Sequence, residues 1–357
     1  MTPTFGLFLV SATSMAEFFY DLIKDTLIVK PCKKSPILLM MIVLLLAMLC
    51  GVLISSICLK QINTNTNVKL QDIQVIDKPP HGINPEQLGI PRVHYPEPQT
   101  FSRDECVHNP VRFFAILSMQ RSGSGWFETL LNSHTNVSSN GEIFSKLERR
   151  QNASAIVDTL DQVYNLDWLS SASKNQCSAA VGLKWMLNQG VMAHHEAVSE
   201  YFSRRGVSVI FLFRRNLLCR MVSVIANSHD RYAKLLNGTH KSHVHSPEEA
   251  DILSTYKPSI NSTSLIDDLK QVEFTTAKAL EYFNSTRHIV LYYEDLIKNR
   301  TILKDVQKFL RLPVMELTSR QVKIHKGPLS MHIKNWDDVS KTLNGTIYER
   351  FLHTDYR

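Results

Sequence analysis

Residues 112–145, RFFAILSMQRSGSGWFETLLNSHTNVSSNGEIFS, constrain this 357-residue chain more than any other stretch. An apolar run at 113–119 reads as a buried parallel strand. The turn Gln120-Arg121-Ser122-Gly123-Ser124-Gly125 follows, and then a helical pattern with Trp126, Phe127, Leu130 and Leu131 on one face. A strand, a glycine-bearing turn and a helix make an anion cradle, because the turn's N–H groups and the positive end of the helix dipole converge above the strand. Downstream the pattern repeats in kind. Strand-like runs at 179–186, 207–213 and 288–293 alternate with helical stretches at 154–164, 191–205, 218–227, 265–284 and 301–312. Ser264 with Asp267 three on predicts a capping box at the start of the fourth of these. Such alternation implies an α/β fold, a parallel sheet flanked by helices on both faces.

The cradle is not a nucleoside-triphosphatase loop, since no G-x-x-x-x-G-K-[ST] string exists. A second anion site is predicted where the strand at 207–213 delivers Arg214-Arg215-Asn216 to its C-terminal edge, the edge at which open α/β sheets bind ligands. Ser223 stands eight residues beyond Arg215. Arginine forms bidentate, charge-assisted bonds to phosphate, and serine adds one donor. Taken alone, an arginine here more often simply caps a sheet edge.

Together the two motifs resemble those of sulfotransferases. Arg121-Ser122-Gly123-Ser124-Gly125-Trp126 lies on the 5′-phosphosulfate pattern P-[KR]-S-G-[ST]-[ST]-x-[LM], with Gln120 in place of proline and Gly125 in place of a hydroxyl residue. Arg215 and Ser223 resemble the pair that grips the 3′-phosphate, and it is this resemblance that makes the spacing favour Arg215 over Arg214. The layout is similar to that of tyrosylprotein, nodulation and glycolipid sulfotransferases, in which a catalytic glutamate follows the cradle helix. Here that position is Glu142, in Asn140-Gly141-Glu142. The resemblance covers about residues 112–336 and implies a P-loop NTPase-like sulfotransferase fold with 3′-phosphoadenosine-5′-phosphosulfate (PAPS) as co-substrate. It gives Arg121, Ser122, Gly123, Ser124, Gly125 and Trp126 to the donor, with Arg121 also stabilising the leaving oxygen and Glu142 as base. Trp126 either packs near the adenine or anchors its helix. Lys326, in His325-Lys326-Gly327, is similar to a late Lys-Gly segment on the 3′-phosphate. Lys184, Trp185 and Lys334 are further candidates, and Tyr293-Glu294-Asp295 reads as a scaffold charge. His194 and His195 are the rival bases. His229, His240, His243 and His245 crowd one loop, where acceptor specificity can reside. No metal is required, because arginines neutralise the phosphates.

Composition and termini set the compartment. Residues 37–59 carry no charge over 23 positions, enough to span a bilayer, which takes about 20. Lys24, Lys30, Lys33 and Lys34 precede them against Lys60 after, so the positive-inside rule predicts a type II signal anchor. The expected order is a cytosolic tail (1–36), a transmembrane helix (37–59), a lumenal stem (60–108) rich in Asn, Pro and Thr, and a catalytic domain (109–357). Seven N-x-[ST] sequons, at Asn136, Asn152, Asn237, Asn261, Asn284, Asn299 and Asn344, all follow the span. Asn136 raises the question of a glycan obstructing the site. Of the three lumenal cysteines, Cys106 and Cys177 are the preferred disulfide and Cys219 a buried thiol, although spacing does not fix the pairing. The net charge of +7 contains no block suggesting a nucleic-acid arm.

The expected function is sulfuryl transfer to a hydroxyl of a glycan or glycoprotein acceptor at the Golgi membrane. Protein tyrosine stays open as acceptor, and so does homodimerisation. The other readings are a metal-independent Golgi glycosyltransferase, since the lumenal part holds no D-x-D string, and a catalytically silent binding protein of the same fold.

Overall fold

The computed structural model describes residues 90–168 and 176–353. The expected cytosolic tail, the apolar span 37–59 and the first part of the stem lie outside the described residues. Among the described residues, no helix is long and apolar enough to cross a membrane.

Pro80–Arg357 form one compact unit. Its centre is a parallel sheet of five strands in the order β2-β3-β1-β4-β5: β1 (Arg112–Ser118), β2 (Val137–Ser139), β3 (Ala180–Met186), β4 (Ser208–Phe213) and β5 (His288–Tyr292). The run beginning at Phe113 takes the middle, bonded along its length to β3 and β4. A strand covered on both faces needs apolar side chains in both directions. Phe113, Ala115 and Leu117 therefore enter one core cluster, while Phe114 and Ile116 enter the other.

The helices are α1 (Ser124–Ser133), α2 (Ala153–Tyr164), α3 (His195–Arg205), α4 (Leu217–Ala233), α5 (Pro247–Ser254), α6 (Leu265–Tyr282), α7 (Tyr293–Lys298), α8 (Thr301–Phe309) and α9 (Trp336–Leu343). One face of the sheet is covered by α2, α3 and α6 through Ile156, Val198 and Ala279. The other is covered by α1 and α8 through Phe127, Leu130, Leu303 and Val306. A third cluster joins α4, α6 and α9 through Leu218, Leu269 and Val339. Parallel strands flanked by helices on both faces match the expected fold class.

Three local expectations are corrected. The predicted helix at 191–205 starts later, at His195, because Leu187–Val191 form a wide turn broken by Gly190 at φ +89°. Ser264 makes no capping box: its hydroxyl donates to the Asp268 carboxylate at 2.9 Å instead of accepting a backbone N–H. Residues 90–108, assigned to an extended stem, are packed on the domain. His94 exchanges backbone hydrogen bonds with Val111 at 2.8 Å and stacks on Phe113 at 4.0 Å. The Arg103 guanidinium donates to the carbonyls of Pro96 and Gln176 at 3.0 Å. The Cys106–Cys177 disulfide closes the same region, and Cys219, outside it, is buried in the third cluster.

Candidate active site

The turn after β1 folds as its residues require. Arg121 (φ +64°) and Gly123 (φ +81°) both take the left-handed region, so the backbone reverses tightly enough to start α1 at Ser124 with Gly123 as its N-cap. A left-handed non-glycine residue costs about 1–2 kcal/mol, and such strain collects at functional turns. At Gly123 any Cβ would overlap the Tyr293 ring, which packs beneath the turn. Ser122 is buried, and its Oγ has no hydrogen-bond partner among the described residues. The turn thus points its first N–H groups and the helix dipole toward a cavity of about 430 Å³ over the C-terminal edge of the sheet.

Among the residues lining that cavity are Arg121, Arg150, Arg214, Arg231 and Lys323, with Glu142 as the one carboxylate. Arg121, Gly123, Ser124, Gly125, Trp126, Glu142 and Ser223 all line it. Arg121 donates through Nε to the Ser223 hydroxyl at 3.2 Å and through a terminal nitrogen to the Ser242 carbonyl at 2.7 Å. Trp126 lies edge-on to Tyr293, centroids 5.8 Å apart, so it faces the cavity and anchors the helix at once.

Glu142 is held by two neighbours. Lys184 Nζ lies 3.3 Å from its Oε1, and the Gln189 amide donates to its Oε2 at 3.1 Å. Lys184 is itself buried and sits 3.0 Å from Glu128 Oε2. Glu128, on α1, also accepts from the Ser139 hydroxyl at 2.7 Å and the Gly141 N–H at 2.9 Å. A buried lysine between two carboxylates therefore ties the cradle helix, β3 and the Glu142 segment together. His194 and His195 are absent from the cavity wall, and His195 stacks on Tyr282.

Two sequence-predicted residues lie elsewhere. Arg214, not Arg215, lines the cavity. The Glu294 carboxylate accepts from the backbone N–H groups of Arg215 at 2.9 Å and Asn216 at 3.2 Å. This turns the chain so that successive side chains diverge. Arg214 comes over the Tyr293 ring with Nε 3.5 Å from Glu294, whereas Arg215 pairs with Asp295 at 2.8 Å and stacks on Tyr292. Spacing alone could not see this choice. Likewise Lys326 is exposed and off the wall, while Lys323 and His325 line it. Burial and then the Arg214 charge lower the Lys323 ammonium to about 8. Burial, His332, Arg121 and Arg214 lower His325 to about 3.

The loop between α4 and α5 supplies a residue that the motifs did not assign. His243 lines the cavity. Its neighbour His240 pairs with the buried Asp230 at 2.8 Å, which makes that histidine a loop anchor. Among the described residues, no group of three or more His, Cys, Asp or Glu is placed to hold a metal ion.

An anion cradle beside clustered cations and one carboxylate, on a parallel α/β sheet, is a site suited to an anionic ligand. The chain matches the sulfotransferase domain family over residues 113–336 and belongs to that family. It is similar to Nodulation protein H of Rhizobium meliloti, with 24% identity over 249 residues, covering 68% of this chain and 96% of the relative. The Rhizobium tropici Nodulation protein H is 22% identical over 247 residues, covering 68% and 93%. Mouse sulfotransferase SULT7A1 complexed with PAP aligns at 12% identity with a TM-score of 0.32, covering 66% of this chain and 64% of that one. A likeness that slight carries no argument.

Proposed function

We propose that this sulfotransferase takes its sulfuryl group from PAPS and passes it to a hydroxyl of a glycan acceptor. The observation that carries this reading is one cavity that gathers the left-handed cradle, Arg121, Arg214 and Lys323 together with the carboxylate of Glu142. The cations suit the two phosphate ends of the nucleotide, with Ser223 beside Arg121 as an added donor.

In the reaction, the acceptor hydroxyl oxygen attacks sulfur as Glu142 takes its proton. The bond from sulfur to the bridging phosphate oxygen breaks, and the charge left on that oxygen meets Arg121 and the N–H groups of the turn. Lys184 and Gln189 orient Glu142 for that task. The wall of the cavity also includes Ser145, Arg150, Asn188 and Gln189, with Met186 the apolar residue among positions 142–189. The polar groups among these offer hydrogen-bond partners to a hydroxyl-rich sugar. The resemblance to nodulation and glycolipid sulfotransferases supports the same acceptor class. The uncharged span 37–59 and the one-sided sequons support a type II enzyme with its domain in the Golgi lumen.

The test is calorimetric titration with 3′-phosphoadenosine-5′-phosphate (PAP), followed by transfer of labelled sulfate from PAPS to glycan and tyrosine-peptide panels. Wild type binds PAP, Arg121→Ala and Arg214→Ala each bind about 10- to 100-fold more weakly, and glycans carry the label. No PAP binding by folded wild type refutes the donor, and label on peptides alone refutes the acceptor. A loss confined to Arg215→Ala would return the phosphate contact to the spacing rule.

A further inference from the structure

Gly125, in the first turn of α1, has no side chain, and the space where one would begin is filled. A Cβ built there would overlap the His243 ring, with Nε2 its nearest atom. That ring belongs to a loop 118 residues further along the chain. It is pinned on both sides through the backbone: the Ser242 carbonyl accepts from Arg121 at 2.7 Å, and the Val244 carbonyl accepts from the Val322 N–H at 2.9 Å. Val244 itself is buried. Gly125 and His243 both line the cavity.

We propose that His243 acts as the missing side chain of position 125, its imidazole nitrogen donating to the anionic group of the donor that the cradle holds. Glycine at 125 is then required by the histidine, and the hydroxyl absent from the loop is replaced from a distant segment. The inference rests on the PAPS reading above.

The charges around the ring give this contact a signature. The residue as a whole is exposed, while its ring lies against Gly125. Burial, then Arg121 and Lys184, lower the imidazole to about 4, with Glu142 opposing and His245 adding slightly. The ring is thus neutral in the ligand-free cavity at neutral pH. A multiply charged anion offsets Arg121 and Lys184 and raises the ring's proton affinity, so binding takes up a proton that His243 holds.

The test is titration of the full chain with PAP at pH 6 in two buffers of different ionisation enthalpy. His243→Ala is expected to bind about 10- to 100-fold more weakly, as for a lost hydrogen bond to a charged group, and to take up fewer protons. Gly125→Ser also binds more weakly, because its side chain meets the ring, but the double variant recovers toward wild type without the extra proton. His243→Gln retains a donor amide and binds more tightly than His243→Ala, a result that loop disruption would not give. Wild-type affinity and proton uptake in His243→Ala would overturn this inference and leave the PAPS reading standing. Failure of the double variant to improve on His243→Ala would also overturn it. Wild type that binds no PAP removes both.

Discussion

Lys184→Met is the sharpest single perturbation of this architecture. The Lys184 and Glu128 side chains are 7% and 9% exposed and lie 3.0 Å apart. Methionine keeps the volume and removes the charge, leaving the Glu128 carboxylate buried with only the Ser139 hydroxyl and Gly141 N–H as donors. Breaking one side of a buried pair costs about 3–5 kcal/mol, mostly from the charge left uncompensated. For a folded unit of this size, about 2 °C of Tm accompanies each kcal/mol, so the variant should melt about 6–10 °C below wild type. Adding Glu128→Gln removes the stranded charge, and the double variant should recover part of the loss. Thermal unfolding followed by circular dichroism at neutral pH reads both. A Lys184→Met protein melting within about 2 °C of wild type would falsify the reading of Lys184 as the buried strut between α1 and β3.

Glu142→Gln should behave in the opposite way. Its side chain is 36% exposed, so stability changes by less than about 1 kcal/mol, while turnover falls about 10²- to 10⁴-fold with PAP binding retained; single-turnover transfer and a melt separate the two. Lys323 sets a pH limit. Its lowered value of about 8 means that PAP affinity falls as pH rises from there, and Lys323→Gln should flatten that limb. Stability should move the other way: between about 8 and the ordinary 10.5 the unfolded chain holds more protons than the folded one, so stability rises with pH across that window. Replacing Cys106 and Cys177 by serine opens a loop of 71 residues and should cost about 4 kcal/mol, read as a lowered denaturant midpoint.

What could be read in advance was local. The cradle from Arg121 to Trp126 is one unbroken string whose glycine, hydroxyls and apolar periodicity each carry a local meaning, and Glu142 follows on the same stretch. The choice of Arg214 over Arg215 hinges on the Glu294 carboxylate, 79 residues away, bonding the Arg215 N–H. Lys323 stands on the wall because Val322 is bridged to Val244, and no spacing within 321–327 encodes that pairing. β2 has three residues, Val137–Ser139, two of them serine, too short to show a period of two. The Asn136 question also needed the sheet: its carbonyl accepts from Ala179 and Ala180 at the start of β3, so it lies at the N-terminal edge, opposite the cavity.

Arg121 has a double attachment, with its backbone in the turn and its guanidinium on the Ser242 carbonyl of the loop. On the PAPS reading, a nucleotide that engages this guanidinium shares it with the loop, since arginine carries five N–H donors, so occupancy and loop position share one free energy. By reciprocity, an acceptor that shifts the loop must change nucleotide affinity by the factor with which nucleotide changes acceptor affinity. On that reading the two substrates are coupled through a single side chain, and the measured sign of the coupling tells whether they help or hinder each other.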